Sequence, residues 1–288
     1  MKLSVFTVCT PDLTPDALIN AASEAGIAGI EWRYTSTPAE VRGEAPSFWR
    51  NNACTLDPET TTDEELDALK EKASRAGLQT VTITPYLTCG DVPGTERAMR
   101  HAARLGAKAI RVGVPRYDRS RRYPDLFAEA IDYLQAVEEL SARYGVKGLV
   151  ETHHQTIAPS AGLAYRLVER FSPERIGVLY DPGNMVHEGY ENYRMGLELL
   201  GPFLAHVHVK NAGWFPKADG SGWECRWAAM DRGVVDWKQV VADLQAVGYD
   251  GWCGVEDFSG THSSKALLGE FVGWFRSLLG ESAEVQRT

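Results

Sequence analysis

Short runs of apolar, often β-branched residues alternate eight times with longer segments of helical period, and this alternation limits the fold more than any other feature of the chain. The expected strands are residues 3–8 (LSVFTV), 27–33 (IAGIEWR), 79–85 (QTVTITP), 109–114 (AIRVGV), 147–152 (KGLVET), 176–181 (IGVLYD), 204–210 (LAHVHVK) and 252–258 (WCGVEDF). Amphipathic segments such as TPDALINAASEAG and DEELDALKEKASRAG lie between them. Several end in a glycine (Gly26, Gly77, Gly106, Gly145, Gly248) placed to supply a left-handed helix cap before the next strand. Eight such units with right-handed crossovers close into a barrel. An open doubly wound sheet would usually carry a glycine-rich phosphate loop after an early strand, and no GxGxxG or GxxxxGK occurs. The expectation is therefore an α/β chain, a single-domain (β/α)8 TIM barrel over residues 1–280. A tail, 281–288 (ESAEVQRT), follows it.

Composition excludes several classes of function. Hydrophobic residues at 44% and charged residues at 24% are enough for a packed core and rule out wholesale disorder. With 39 acidic against 30 basic residues the formal charge is -9, so phosphate backbones and anionic lipid are repelled unless a local basic patch exists. Neither nucleic acid nor a membrane is an expected partner. The five scattered cysteines form no CxxC pair, which fits reduced thiols in a cytoplasmic protein better than a disulfide framework or a cysteine zinc site. The opening MKLSVFTVCTPDL is too short an apolar run, broken by Pro11, for a signal peptide or a membrane span.

In a barrel of this kind, polar residues at the C-terminal ends of strands face the mouth where ligands bind. Glu151 in LVETHH, Asp181 in LYDPGN, His208 in HVHVKN and Glu256 in GVEDFS occupy those places on four successive strands. Any one alone would more often be a satisfied polar group, but three carboxylates and one imidazole at matching heights suit a divalent ion with open positions for substrate oxygens. Mn2+ is expected first, with Co2+, Mg2+ or Zn2+ as alternatives. His206 shares the face of His208 and is either a buried packing histidine or a group that orients the ligand.

Other residues take supporting places, each with a plainer alternative. His153 shares the face of Glu151 and is a substrate-hydroxyl partner or proton shuttle, or else a surface imidazole. Lys210, on the face of His208, neutralises an enediolate oxygen or a carboxylate, or is simply solvated. Arg111 and Glu31 pair across the barrel or bind substrate, with purely structural ion pairing the favoured role for Glu31. Two long connections, 34–62 and 211–234, are candidate lids because they carry Phe48, Trp49, Trp214, Trp223 and Trp227. Trp214, Trp223 and Trp227 would stack on sugar faces, or pack in the core or an interface. Phe271, Trp274 and Phe275 either form a homo-oligomer contact or pack on the barrel.

From GIAGIEWR through ETHH, DPGN and HVHVKN to GYDGWCGVEDF, the chain resembles the sugar phosphate isomerase/epimerase superfamily with its xylose-isomerase-like barrel. This superfamily includes ketose 3-epimerases, inosose dehydratase, hydroxypyruvate isomerase and the family 2 AP endonucleases. The resemblance implies that Glu151, Asp181, His208 and Glu256 bind the metal and that Glu151 and Glu256 also move protons. Many relatives have histidine three residues after the sixth-strand aspartate. Here that place is Asn184, with His187 following, and an amide can hold a sugar hydroxyl but cannot serve as a comparable metal ligand or proton carrier. That departure tells against an ordinary ketose epimerase and a multi-zinc endonuclease. Asn184 and His187 are accordingly expected to bind substrate.

The chemistry expected of such a site is proton transfer on a carbohydrate: the metal polarises a carbonyl and stabilises an enediolate while Glu151 and Glu256 exchange a proton from different sides. Isomerisation or epimerisation of a sugar, keto-sugar or polyol follows. The alternative outcome is β-elimination, a lyase or dehydratase acting on a keto-sugar, keto-glycoside or keto-inositol. A sugar-binding barrel without catalysis and a metal-free glycosidase built on Glu151 and Glu256 are the remaining readings. The aromatic segment after the seventh strand suits a substrate larger than a triose, and the absence of a phosphate loop gives no ground for a phosphorylated one.

Overall fold

In the computed structural model, which describes residues 1–280, parallel strands close into a ring. In chain order the strands are β1 (Lys2–Phe6), β2 (Gly29–Tyr34), β3 (Thr55–Leu56), β4 (Gln79–Pro85), β5 (Ala109–Arg111), β6 (Lys147–Glu151), β7 (Ile176–Tyr180), β8 (Leu204–Val209), β9 (Asn211–Pro216), β10 (Trp223–Ala228) and β11 (Trp252–Val255). β1 pairs with both β2 and β11, which seals the barrel. The two-residue β3 is an appendage on the end of β2, and β9 and β10 form a separate antiparallel hairpin. The other eight strands make the (β/α)8 barrel expected from the alternation.

The helices are α1 (Pro15–Ala25), α2 (Asp63–Arg75), α3 (Val92–Leu105), α4 (Tyr123–Tyr144), α5 (Ala161–Val168), α6 (Pro182–Glu188), α7 (Tyr193–Leu200), α8 (Trp237–Ala246) and α9 (Ser264–Leu278). Their ends follow local chemistry. The Thr14 hydroxyl accepts from the backbone of Ala17 with proline next in line, and Thr62 and Glu65 form a reciprocal capping box. Gly26 and Gly106 close α1 and α3 with φ of 81° and 84°, a conformation that a side chain would strain. No helix among the described residues is long and apolar enough to cross a membrane. All five cysteines are free thiols.

Apolar packing lies between the ring and its helices, where Leu18, Leu66, Met99, Phe271 and Phe275 are fully buried. The last two pack there together with Trp237. The inside of the ring is different. Barrel interiors are commonly filled by layers of Val, Ile and Leu, yet Glu31, Thr82, Thr84, His206 and His208 are buried here. A column of hydrogen-bonding groups therefore runs up the barrel axis, and it must satisfy itself internally.

Several strands stop earlier than their sequence pattern indicated. β7, β8 and β11 end at Tyr180, Val209 and Val255, so Asp181, Lys210 and Glu256 are the first residues beyond their strands, and β5 ends at Arg111 rather than at residue 114. Helix α6 was not expected. Asp181 leaves β7, accepts from the Asn184 backbone at 2.8 Å as an N-cap, and Pro182 starts the helix. The expected loop 211–234 is largely the β9–β10 hairpin, turned by Gly220 and Gly222 at positive φ. Its signal was present in the alternation WECRW after DGSG. The expected tail 281–288 lies outside the described residues.

Candidate metal centre

Beside Ile30 and Glu31 the pairing of β2 with β4 slips by one residue. Such an irregularity re-aims a side chain. Glu31 is wholly buried, with one carboxylate oxygen taking bonds from His206 Nε2 at 2.8 Å and His208 Nε2 at 3.0 Å, while the Thr84 hydroxyl donates to the other. Burial opposes its ionisation, but the two imidazoles outweigh burial and hold the carboxyl well below the usual carboxylate range. Glu31 therefore does not pair with Arg111, as the sequence had allowed. It orients the two histidines of β8.

The orientation has a consequence for His208. With Nε2 committed to Glu31 and its ring stacked on Phe6 at 5.5 Å, Nδ1 is turned toward Glu151 Oε1 at 3.4 Å, Asp181 Oδ2 at 3.6 Å and Glu256 Oε2 at 3.4 Å. This buried nitrogen has no hydrogen-bond partner among the described residues. The four donor atoms lie within 4.8 Å of one another and every residue of the set is buried. A lone imidazole nitrogen facing three carboxylate oxygens, with its opposite nitrogen held by a carboxylate, is the donor set and orienting arrangement that a divalent ion requires. The residues fit the ion.

Cationic side chains complete the charge balance. Lys210 is buried, not solvated: its Nζ is 2.8 Å from Asp181 Oδ2 and also contacts Glu256 Oε2. Burial disfavours the ammonium, but Asp181 and Glu256 overcome this and raise its pKa. Arg111 at the end of β5 donates to Glu151 Oε2 at 2.8 Å. Glu151 is thus held on both oxygens, because Asn184 Nδ2 approaches the other at 3.3 Å and Asp181 Oδ2 at 2.9 Å. With its amide donating to two carboxylates, Asn184 turns Oδ1 to His154 Nδ1 at 3.1 Å. Burial, with His153 and His187 beside it, pushes His154 down to about 3, so the ring is neutral and its Nδ1 carries the proton.

A cavity of about 810 Å³ opens above these groups. Glu151, Glu256, Lys210, Arg111, His153 and Asn184 line it, and Trp49, Tyr86, Trp227 and Phe258 form aromatic walls. His153 donates through Nδ1 to the carbonyl of His154 at 2.7 Å, leaving Nε2 as its free nitrogen. Trp227 on β10 packs against His187 at 4.9 Å, and Lys210 Nζ is 4.8 Å from its ring. Trp49 reaches Phe258 at 4.6 Å, and Arg33 fixes the Trp49 carbonyl at 2.8 Å.

Three of the expected substrate contacts fall elsewhere. Trp214 and Trp223 do not line this cavity; they are 46% and 62% exposed, and the Trp214 indole instead donates to the Val186 carbonyl, fastening the hairpin to α6. His187 is half-buried behind His154, with ring centroids 4.1 Å apart, and is likewise outside the cavity wall. Tyr86 and Phe258 had not been singled out, although both lie just past a strand end, as Asp181 and Glu256 do. His154 was not among the expected site residues; β6 ends at Glu151, so strand alternation no longer sets which way it points.

The fold and the buried cluster together define a (β/α)8 barrel with one imidazole and three carboxylates gathered at its C-terminal mouth. The chain belongs to the xylose isomerase-like TIM barrel family, whose model matches residues 19–278. A stretch of 138 residues is 28% identical to inosose dehydratase from Geobacillus thermodenitrificans; it covers 44% of this chain and 45% of that protein, so the match spans about half the relative's length. Among solved structures, the zinc-bound IOLI protein superposes with a TM-score of 0.75 at 16% identity, covering 98% of this chain and 99% of its own. The 3-keto-D-glucoside 4-epimerase of E. coli superposes at 0.70 and 16% identity over 96% and 99%. At these identities the structural likeness is one of fold.

Proposed function

We propose that the protein is a divalent-metal-dependent isomerase or epimerase of a sugar, keto-sugar or polyol. The observation that carries this reading is the orientation of His208: one nitrogen is fixed by Glu31, and the other is left facing Glu151, Asp181 and Glu256 beside a cavity that two of those carboxylates line. A bound divalent ion would supply electrophilic polarisation of a substrate carbonyl, which acidifies the neighbouring C–H. Glu151 and Glu256 hold and return the proton. Arg111 fixes one oxygen of Glu151, and Lys210 offers its positive charge to the oxygen that becomes negative as the proton leaves. His153 presents its free nitrogen to a substrate hydroxyl, and Tyr86, Trp227 and Phe258 pack against the sugar. Mn2+ is the proposed ion, with Co2+, Mg2+ and Zn2+ as alternatives, and the setting is cytoplasmic. The cavity falls in the range of about 300–1,000 Å³ that holds drug-sized ligands, so a keto-sugar bearing a second sugar or an aglycone fits its size better than a free triose.

A second outcome of the same proton removal is supported by the partial identity to inosose dehydratase and by Asn184, which carries no proton of its own to return. In that case the intermediate expels a β-hydroxyl or an alkoxide, and the protein is a lyase. Both readings are tested by incubating Mn2+-loaded protein with keto-sugars and keto-glycosides in D2O. Deuterium at the carbon beside the carbonyl with an isomeric product supports the isomerase; an unsaturated product supports the lyase. Turnover without solvent exchange, or full turnover after exhaustive chelation, overturns the mechanism.

A further inference from the structure

The opposite mouth of the barrel holds a second cavity, of about 470 Å³, that the proposed reaction does not use. Lys70 from α2, Lys108 at the start of β5 and Lys147 at the start of β6 stand around it. Among the described residues none of the three makes an ion pair and no carboxylate lines the cavity. Lys70 reaches across Gly106 toward the opening, while the stem of Lys147 lies over Gly177. Burial lowers the pKa of Lys147, with only Glu174 pulling the other way, so this ammonium is poorly solvated and weakly countered.

The inner end points to a ligand independently. His206 lines the cavity, is 2% exposed and gives its Nε2 proton to Glu31, so its Nδ1, without a hydrogen-bond partner among the described residues, is a buried acceptor for a ligand hydroxyl. Gln79 and Thr80 add polar groups to the lining, and Leu149 and Trp252 give an apolar wall. Lysine ammonium groups bind phosphate as point charges, and several lining one opening suit an anion of charge near two with several acceptor oxygens.

We propose that the N-terminal mouth of the barrel binds a small molecule carrying a phosphate group, the phosphate among Lys70, Lys108 and Lys147, a compact apolar body against Leu149 and Trp252, and a hydroxyl within reach of His206 Nδ1. The site lies at the other end of the barrel from Asp181 and Glu256 and stands whether or not the proposed reaction is correct.

Calorimetric titration of the full chain tests this, with inorganic phosphate and phenyl phosphate as probes, at constant ionic strength in chloride buffer and with chelator present so that no ion captures the phosphate. Saturable binding is expected, tighter for phenyl phosphate than for phosphate and absent for phenol. The double variant Lys108→Gln/Lys147→Gln should bind about tenfold or more weakly, while Lys238→Gln, an exposed lysine elsewhere, should bind as the parent does. A near-UV circular dichroism spectrum matching the parent establishes that the double variant is folded, and the single variant Lys70→Gln provides a milder test with weakening in the same direction. The proposal is overturned if neither probe saturates, or if the folded double variant binds both as the parent does, which would put the anion near Lys210 and Arg111 instead.

Discussion

Glu31 touches none of the cavity, yet it determines which nitrogen of His208 is offered to a metal. Glu31→Gln keeps the shape but removes the charge that makes His208 a good ligand, and is expected to weaken Mn2+ binding about 10- to 100-fold by calorimetry, while unchanged affinity would dissociate Glu31 from the centre. Lys210 answers a different question. It is the cation between Asp181 and Glu256, so Lys210→Met leaves buried carboxylates uncompensated and should cost about 3–5 kcal/mol in chelator. Mn2+ should restore part of that loss, because the ion supplies positive charge at the same carboxylates. Equal melting temperatures for the variant with and without Mn2+ would contradict this role. The proposed ligands were legible from sequence because each stands at or beside the C-terminal end of a strand, a local signal. The partners of Glu31 were not, because His206 and His208 lie 175 and 177 residues away and only closure of the ring brings them together.

Helix α6 and the β9–β10 hairpin illustrate what periodicity leaves unread. DPGN is too short to show a helical period, yet Asp181 is both a proposed ligand and the N-cap, so helix and candidate site share one residue. Gly183 lets α6 approach the backbone of Lys210: a Cβ there would stand 2.8 Å from the Lys210 carbonyl oxygen. Gly183→Ala is therefore expected to displace Asp181 and weaken metal binding while leaving the secondary structure unchanged, measured by Mn2+ titration beside far-UV circular dichroism. The hairpin was read as a lid with three substrate-facing tryptophans, and only Trp227 lines the cavity. Trp227→Ala should raise KM about 2- to 10-fold, the equivalent of one aromatic contact. Replacing residues 214–226 by a short turn should penalise glycosides more than free monosaccharides; equal activity on both after trimming would remove the hairpin from substrate selection.

Metal binding should be felt by the molecule as a whole, since the four proposed ligands lie on β6 and β8 or directly follow β7 and β11. At a free ion concentration about 100 times Kd, the folded state gains about 2.7 kcal/mol, readable as a higher denaturant midpoint in Mn2+ than in chelator. An unchanged midpoint would mean that the cluster holds no ion. The ring architecture was legible because eight βα units allow few closed arrangements, whereas the polar column within it was not, because inward-facing Thr82, Thr84 and His206 look like ordinary strand residues until their neighbours are known. The seal between β1 and β11 also orders events on the ribosome. β1 is made first, and its outer edge waits for Trp252–Val255. At ordinary rates of synthesis that wait is on the order of ten to fifty seconds. A nascent chain that has not reached Glu256 therefore lacks both the closing strand and the last carboxylate of the cluster, and its open edge must be kept from pairing with a neighbour.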